Sequence, residues 1–218
     1  MKNWSAIVVA LYFGALALLA LPLGLFWKMD AREWMQYVPW AWGVAAVFAG
    51  AQASLLIVPA DLARERPVGR RRLLIPVVTT GLLLCLLMLA AIGSVLAVSC
   101  GDDPDRKIGP KLLPWLPLPF LWGVWGWVFR AYFKARDPAA LLARLMKGML
   151  RGSVLELLVA VPCHVIVRRR DDCCAPAATF AGIVTGLSLM LMSFGPGVLF
   201  LFARRFRDLR RAQTSGPP

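Results

Sequence analysis

The chain has 218 residues, of which 59% are hydrophobic and only 17% charged. Soluble domains carry about 45–50% apolar and about 25% charged residues, so a water-exposed fold would leave large apolar patches uncovered. The formal net charge is +13, from 25 Lys and Arg against 12 acids. These cations form no basic domain of their own; they read as residues that hold helix ends at an anionic lipid surface, and nucleic acid is not an expected partner.

Inside hydrocarbon every backbone N–H and C=O must be paired internally. The apolar stretches are long and continuous rather than short and alternating, which favours helices over a barrel. The expected class is therefore an all-α, polytopic integral membrane protein of about six transmembrane helices. In chain order the segments run from about Ser5 to Trp27, Pro39 to Val58, Leu74 to Val98, Trp115 to Phe129, Val154 to Val167 and Ala177 to Ala203. The first is read as a retained helix: Lys2 is its only n-region cation, its apolar run is long, and no clear A-x-A site follows. The fifth is the weakest.

With the N-terminus inside, 17 of the 25 cations fall on the inner side, which places both termini there. Arg168, Arg169 and Arg170 are the exception, lying on the outer side. Trp27, Trp34, Trp40, Trp42 and Trp115 fall near the outer boundary, as an interfacial belt would. Trp122, Trp125 and Trp127 lie within segment four and are read as packing or lipid-facing residues. Between segments four and five, Asp137-Pro138 is a helix-start signal. The stretch from Ala139 to Arg151 then reads as a short amphipathic helix on the inner leaflet or as the lower extension of segment five. Residues 1–203 form a single transmembrane domain in this reading. Residues 204–218 are a basic cytoplasmic tail with a disordered end. Gly195-Pro196-Gly197 is expected to kink or break segment six.

Two small-residue ladders suit close helix packing: Gly182 with Gly186, and Ala46 with Gly50 and Ser54. Either could serve packing within the chain or contact with another subunit. No internal repeat of the kind seen in many secondary transporters is present.

The chemistry concentrates between Glu156 and Cys174. The only histidine, His164, sits beside Cys163, and Cys173 and Cys174 follow across a hairpin. Three thiolates and an imidazole make a tetrahedral set for a structural zinc ion. Copper or haem comes second, with one histidine available and no C-x-x-C-H motif. Adjacent helical residues point about 100° apart, so Cys163 and His164 can share an ion only if the helix ends there, which Pro162 could assist. Alternatively Cys100, Cys163, Cys173 and Cys174 form two disulfides, or the four are plain thiols. Cys85 reads as a small apolar core residue.

Glu156 is an intramembrane carboxylate, a functional candidate by default. Its structural alternatives are a pair with Arg151 or a hydrogen bond to Gln52. Gly101-Asp102-Asp103-Pro104-Asp105 lacks EF-hand spacing and reads as a solvated turn. Signatures of hydrolases, NTPases and dinucleotide enzymes are missing from the sequence. The first expectation is thus a non-enzymatic scaffold or accessory subunit of a plasma-type (inner) membrane, embedded in lipid and partnered by other membrane subunits or by its own copies. The alternatives are a thiol-redox or metal-handling protein and a small transporter or channel using Glu156.

Overall fold

The computed structural model describes residues 4–26, 31–63, 69–100, 115–135, 137–170 and 175–214. They form six helices: α1 (Trp4–Phe26), α2 (Ala31–Ala63), α3 (Arg70–Cys100), α4 (Leu118–Lys134), α5 (Pro138–Arg169) and α6 (Ala175–Thr214). No strand occurs among the described residues. Among the described residues, four stretches are long and apolar enough to cross a membrane: Tyr37–Val58, Arg70–Cys100, Pro138–Arg169 and Ala175–Phe194. A shorter apolar stretch, Ala6–Leu18, lies in α1.

The chain divides into two compact units, residues 1–76 with 194–218, and residues 77–193. In the first unit α1 packs along α2. Phe13 meets Trp42 edge to face, with ring centroids 5.2 Å apart, a favoured aromatic geometry. On α2 the buried positions Ala45, Ala49, Gln52 and Leu56 recur at helical spacing. Ala46 and Gly50 stand one position further on and are exposed. No atom lies within 4 Å of a Cβ placed on Gly50.

The second unit carries the upper part of α3, then α4, α5 and the first half of α6. Asp137 caps α5: its carboxylate accepts from the N–H of Ala139 at 3.1 Å and of Ala140 at 3.2 Å, while Pro138 occupies the first turn, where no N–H is needed. From this cap α5 runs unbroken to Arg169. The stretch from Ala139 to Arg151 is thus the N-terminal part of α5 rather than a separate helix. Gly148 and Gly152, which could have ended it, lie against Trp127 and against Leu84 and Leu87. Pro162 does not end it either. Likewise α6 continues through Gly195-Pro196-Gly197 without a break.

Where α3 ends, its last carbonyls lack intrahelical donors. The guanidinium of Arg170 donates through Nη1 to the carbonyl of Val98 at 2.8 Å. A cation at a helix C-terminus is also favoured by the helix dipole, so one of the three arginines at 168–170 has a structural occupation. Beneath it Ala97, Val167 and Ala175 form a buried cluster with Val98 packed against it. α4 docks through tryptophans: Trp125 covers Gly81 of α3, and Trp127 covers Gly148 of α5. Trp122, on the same helix, is 77% exposed. A Cβ on Gly81 would lie 2.6 Å from Cζ3 of Trp125. Gly81→Val is therefore expected to lower stability by about 1–3 kcal/mol through overpacking. Gly123→Ala, at a position with open space around it, is expected to be neutral or mildly stabilising. Thermal unfolding in detergent compares the two.

Candidate functional site

The site grows out of the seam between α5 and α6. On α6 the buried positions Ala175, Thr179, Gly182, Gly186 and Leu189 follow one face. The α5 residues opposite them run in the reverse direction. Val167 clusters with Ala175, His164 hydrogen-bonds to Thr179, Ala160 faces Gly182, and Glu156 with Leu157 faces Gly186. Small residues on one helix let the other approach closely, which is how membrane helices gain packing when lipid offers no hydrophobic gradient. The Gly182/Gly186 ladder is consumed here, inside the chain.

Glu156 sits at the tightest point. It is 3% exposed, and neither carboxyl oxygen has a hydrogen-bond partner. A Cβ on Gly186 would collide with Oε2 of Glu156 and would lie 2.9 Å from Cγ of Leu157. A Cβ on Gly182 would lie 3.2 Å from Oε1 of Glu156 and 2.8 Å from Oγ of Ser94 on α3. The two glycines thus leave a recess that the carboxyl fills, with the Ser94 hydroxyl on its far side.

The neighbouring hydroxyls do not satisfy the carboxyl. Ser94 donates to the carbonyl of Ala90 at 2.9 Å, and Ser153, one turn below Glu156, donates to that of Met149 at 2.9 Å. Such bonds to the preceding turn are the usual use of a serine within an apolar helix. Arg151, the structural partner considered from sequence, is exposed, and no ion pair or hydrogen bond reaches Glu156. Gln52 on α2 is 1% exposed, and its amide oxygen and nitrogen are also buried without hydrogen-bond partners.

Placing a lone ionised carboxylate in a low-dielectric interior costs several kcal/mol. Glu156 lies thirteen residues before the C-terminal end of α5, about 20 Å along the axis at 1.5 Å per residue. Its charge must therefore be met by something small that reaches it there: a proton or a bare cation.

The end of the seam nearer the α5 C-terminus holds the other sequence-predicted residues. Nδ1 of His164 lies 2.9 Å from Oγ1 of Thr179. The Thr179 hydroxyl donates to the backbone, at 3.2 Å from the Ala175 carbonyl and 3.1 Å from that of Pro176. The direction of the His164–Thr179 bond follows the imidazole tautomer, and the Pro176 backbone also hydrogen-bonds to the ring. Phe180 flanks the ring at 5.9 Å between centroids. Cys163 is half-buried and free, Cys100 buried and free, as is Cys85. Cys163 and His164 follow one another on an unbroken helix, so their side chains diverge by about 100°. Cys173 and Cys174 lie outside the described residues, among which no group of three or more His, Cys, Asp and Glu side chains gathers. A metal ion at this end would take either His164 or Cys163 as its ligand from α5.

Sequence reasoning passed over Ser94 and Thr179. The available signal was a hydroxyl residue inside an apolar run, and such residues are common in membrane helices as backbone-bonded side chains. Comparison with family models, with curated proteins and with solved structures finds no match for this chain.

Because the carboxyl is unsatisfied, its removal should relieve the fold. Glu156→Met, which keeps side-chain volume while discarding the buried polar group, is expected to raise stability by about 1 kcal/mol. A clear fall in the thermal midpoint would mean that the carboxyl has a structural partner after all.

Proposed function

We propose that this chain is a small multi-pass protein of a plasma-type membrane that handles a proton or a small monovalent cation at Glu156, as a transporter or channel rather than an enzyme. One observation carries the reading: a carboxyl buried in an apolar helical seam with both oxygens unpartnered. A purely structural carboxyl would be paired, because breaking the pairing of a buried charge costs about 3–5 kcal/mol. One negative charge matches one positive charge, hence the monovalent ligand. In this reading all six helices span the bilayer and both termini lie on the cytoplasmic side, following the distribution of Lys and Arg.

A second reading, an accessory subunit or homo-oligomer, is favoured by the outward Ala46 and Gly50 of α2, where nothing lies within 4 Å of a Cβ on the glycine. Small faces of this kind accept another helix. Gly50→Leu would then shift the particle mass in detergent toward the monomer. A structural zinc ion at the His164 end of the seam, held by Cys173, Cys174 and either His164 or Cys163, is a separate proposal, since the unbroken α5 turns the last two apart; the zinc content of untagged protein decides it.

The principal reading is tested by flux. In liposomes carrying the full chain under an imposed proton or sodium gradient, wild-type protein should pass the ion. Glu156→Gln should fall to the protein-free background, and Glu156→Asp should retain a part of the rate. Equal flux through wild type and Glu156→Gln would overturn the proposal.

A further inference from the structure

The cations of the α4–α5 hairpin take no part in the Glu156 seam, and they gather where those two helices meet. We propose that this end of the hairpin is a binding surface for an anionic phospholipid. Its phosphate headgroup is held by Arg130 and Lys134 of α4 and by Arg144, Lys147 and Arg151 of α5. The surface stands apart from Glu156, and its test does not involve that residue.

Helical register brings these residues to one place. Trp127 of α4 lies against Gly148 of α5, and three residues join the two helices, so they run antiparallel there. On α4, Arg130 and Lys134 follow Trp127 by three and seven residues, the spacing of a single helix face. On α5, Arg144 stands four residues before Gly148 and Arg151 three after it, again on one face, while Lys147 directly precedes the glycine. The contact between an indole and a glycine thus has five cationic residues around it, all of them exposed.

The patch carries no countercharge of its own. From Arg130 to Leu155 the one acidic residue is Asp137, whose carboxylate already accepts from the N–H groups of Ala139 and Ala140. None of the five cationic side chains has an ion pair or hydrogen bond among the described residues. A solvated helix face gains support by placing acids three or four residues from its cations; this one does not.

The surface that continues from the cations selects a lipid over a soluble anion. α5 has 32 residues, about 48 Å at 1.5 Å per residue, against about 30 Å of hydrocarbon in a bilayer. Part of the helix therefore stands outside the apolar layer. Along one stripe its exposed face changes character within a turn: Arg144, Lys147 and Arg151 give way to Leu155 and Leu158, which are 64% and 66% exposed. On α4 the exposed Trp122 and Phe129 extend from Arg130 in the same direction. Trp127 stands at the border, the level at which indoles favour the headgroup region. A molecule with a phosphate at one end and acyl chains at the other matches both parts of this surface. A free anion matches only the first.

Native mass spectrometry of the full chain in detergent, titrated with dioleoyl phosphatidylglycerol or dioleoyl phosphatidylcholine, reads the surface directly. Wild type is expected to retain phosphatidylglycerol in preference to phosphatidylcholine. Arg130→Gln and Arg144→Gln should each weaken that binding about fivefold, the rough worth of one cation near an anionic surface. Arg168→Gln and Arg169→Gln, which remove the same charge at the opposite end of α5, should leave it unchanged. All four positions are exposed, so the variants keep the fold. Excess inorganic phosphate should not displace the lipid; displacement would make this a site for a soluble anion and overturn the lipid assignment. Equal retention of the two lipids, or equal weakening by variants at both ends of the helix, would overturn the surface itself.

Discussion

The second unit turns on one constraint: α5 and α6 approach each other over Gly182 and Gly186, and a carboxyl occupies the gap this creates. Helices in a bilayer gain little from hiding apolar surface, since lipid is as apolar as leucine. Their association depends on close packing, and close packing depends on side chains that stay out of the way. From Ala175 to Gly186 the α6 face supplies them, and α5 answers with Val167, His164, Ala160 and Glu156 in turn. The ends of the seam are secured independently, by the Asp137 cap below and by Arg170 bonding to the end of α3 above. A buried, unpartnered carboxylate opposes folding. The packing around it must hold it in place, which is the pattern of a group retained for what it does rather than for what it stabilises.

Position along the seam matters as much as burial. Ser94 and Ser153 donate to the preceding turns of their own helices, and neither oxygen of the Glu156 carboxyl has a hydrogen-bond partner. The His164 end of the seam differs: there the imidazole pairs with the Thr179 hydroxyl, which also bonds to the backbone.

Much of this was legible from sequence, for definable reasons. Long apolar runs bounded by cations gave the helical class, and Asp137-Pro138 marked the start of α5 because both residues act locally. Glu156 stood out as a carboxylate in an apolar stretch, and Gly182 with Gly186 as a small-residue pair; that the two belong to one site depends on helix pairing, which sequence does not encode locally. The continuity of α5 through Gly148, Gly152 and Pro162 was equally hidden, because the partners Trp127, Leu84 and Leu87 come from other helices. Arg151, considered as a partner of Glu156 from chemistry alone, is exposed, and the carboxyl has no hydrogen-bond partner among the described residues. The arginines at 168–170 looked misplaced by the distribution of charge; Arg170 proved to answer the free carbonyls of α3.

The central claim is that a carboxyl able to carry a proton lies in the α5–α6 seam, out of water. Labelling with a lipophilic carbodiimide, which attacks protonated carboxyls in apolar surroundings, tests it most directly when the modified residue is located by mass spectrometry. The account predicts a single modified site at Glu156, with labelling that declines as the pH is raised and vanishes in Glu156→Gln. Failure to modify Glu156 at any pH, with other carboxyls labelled instead, would contradict it.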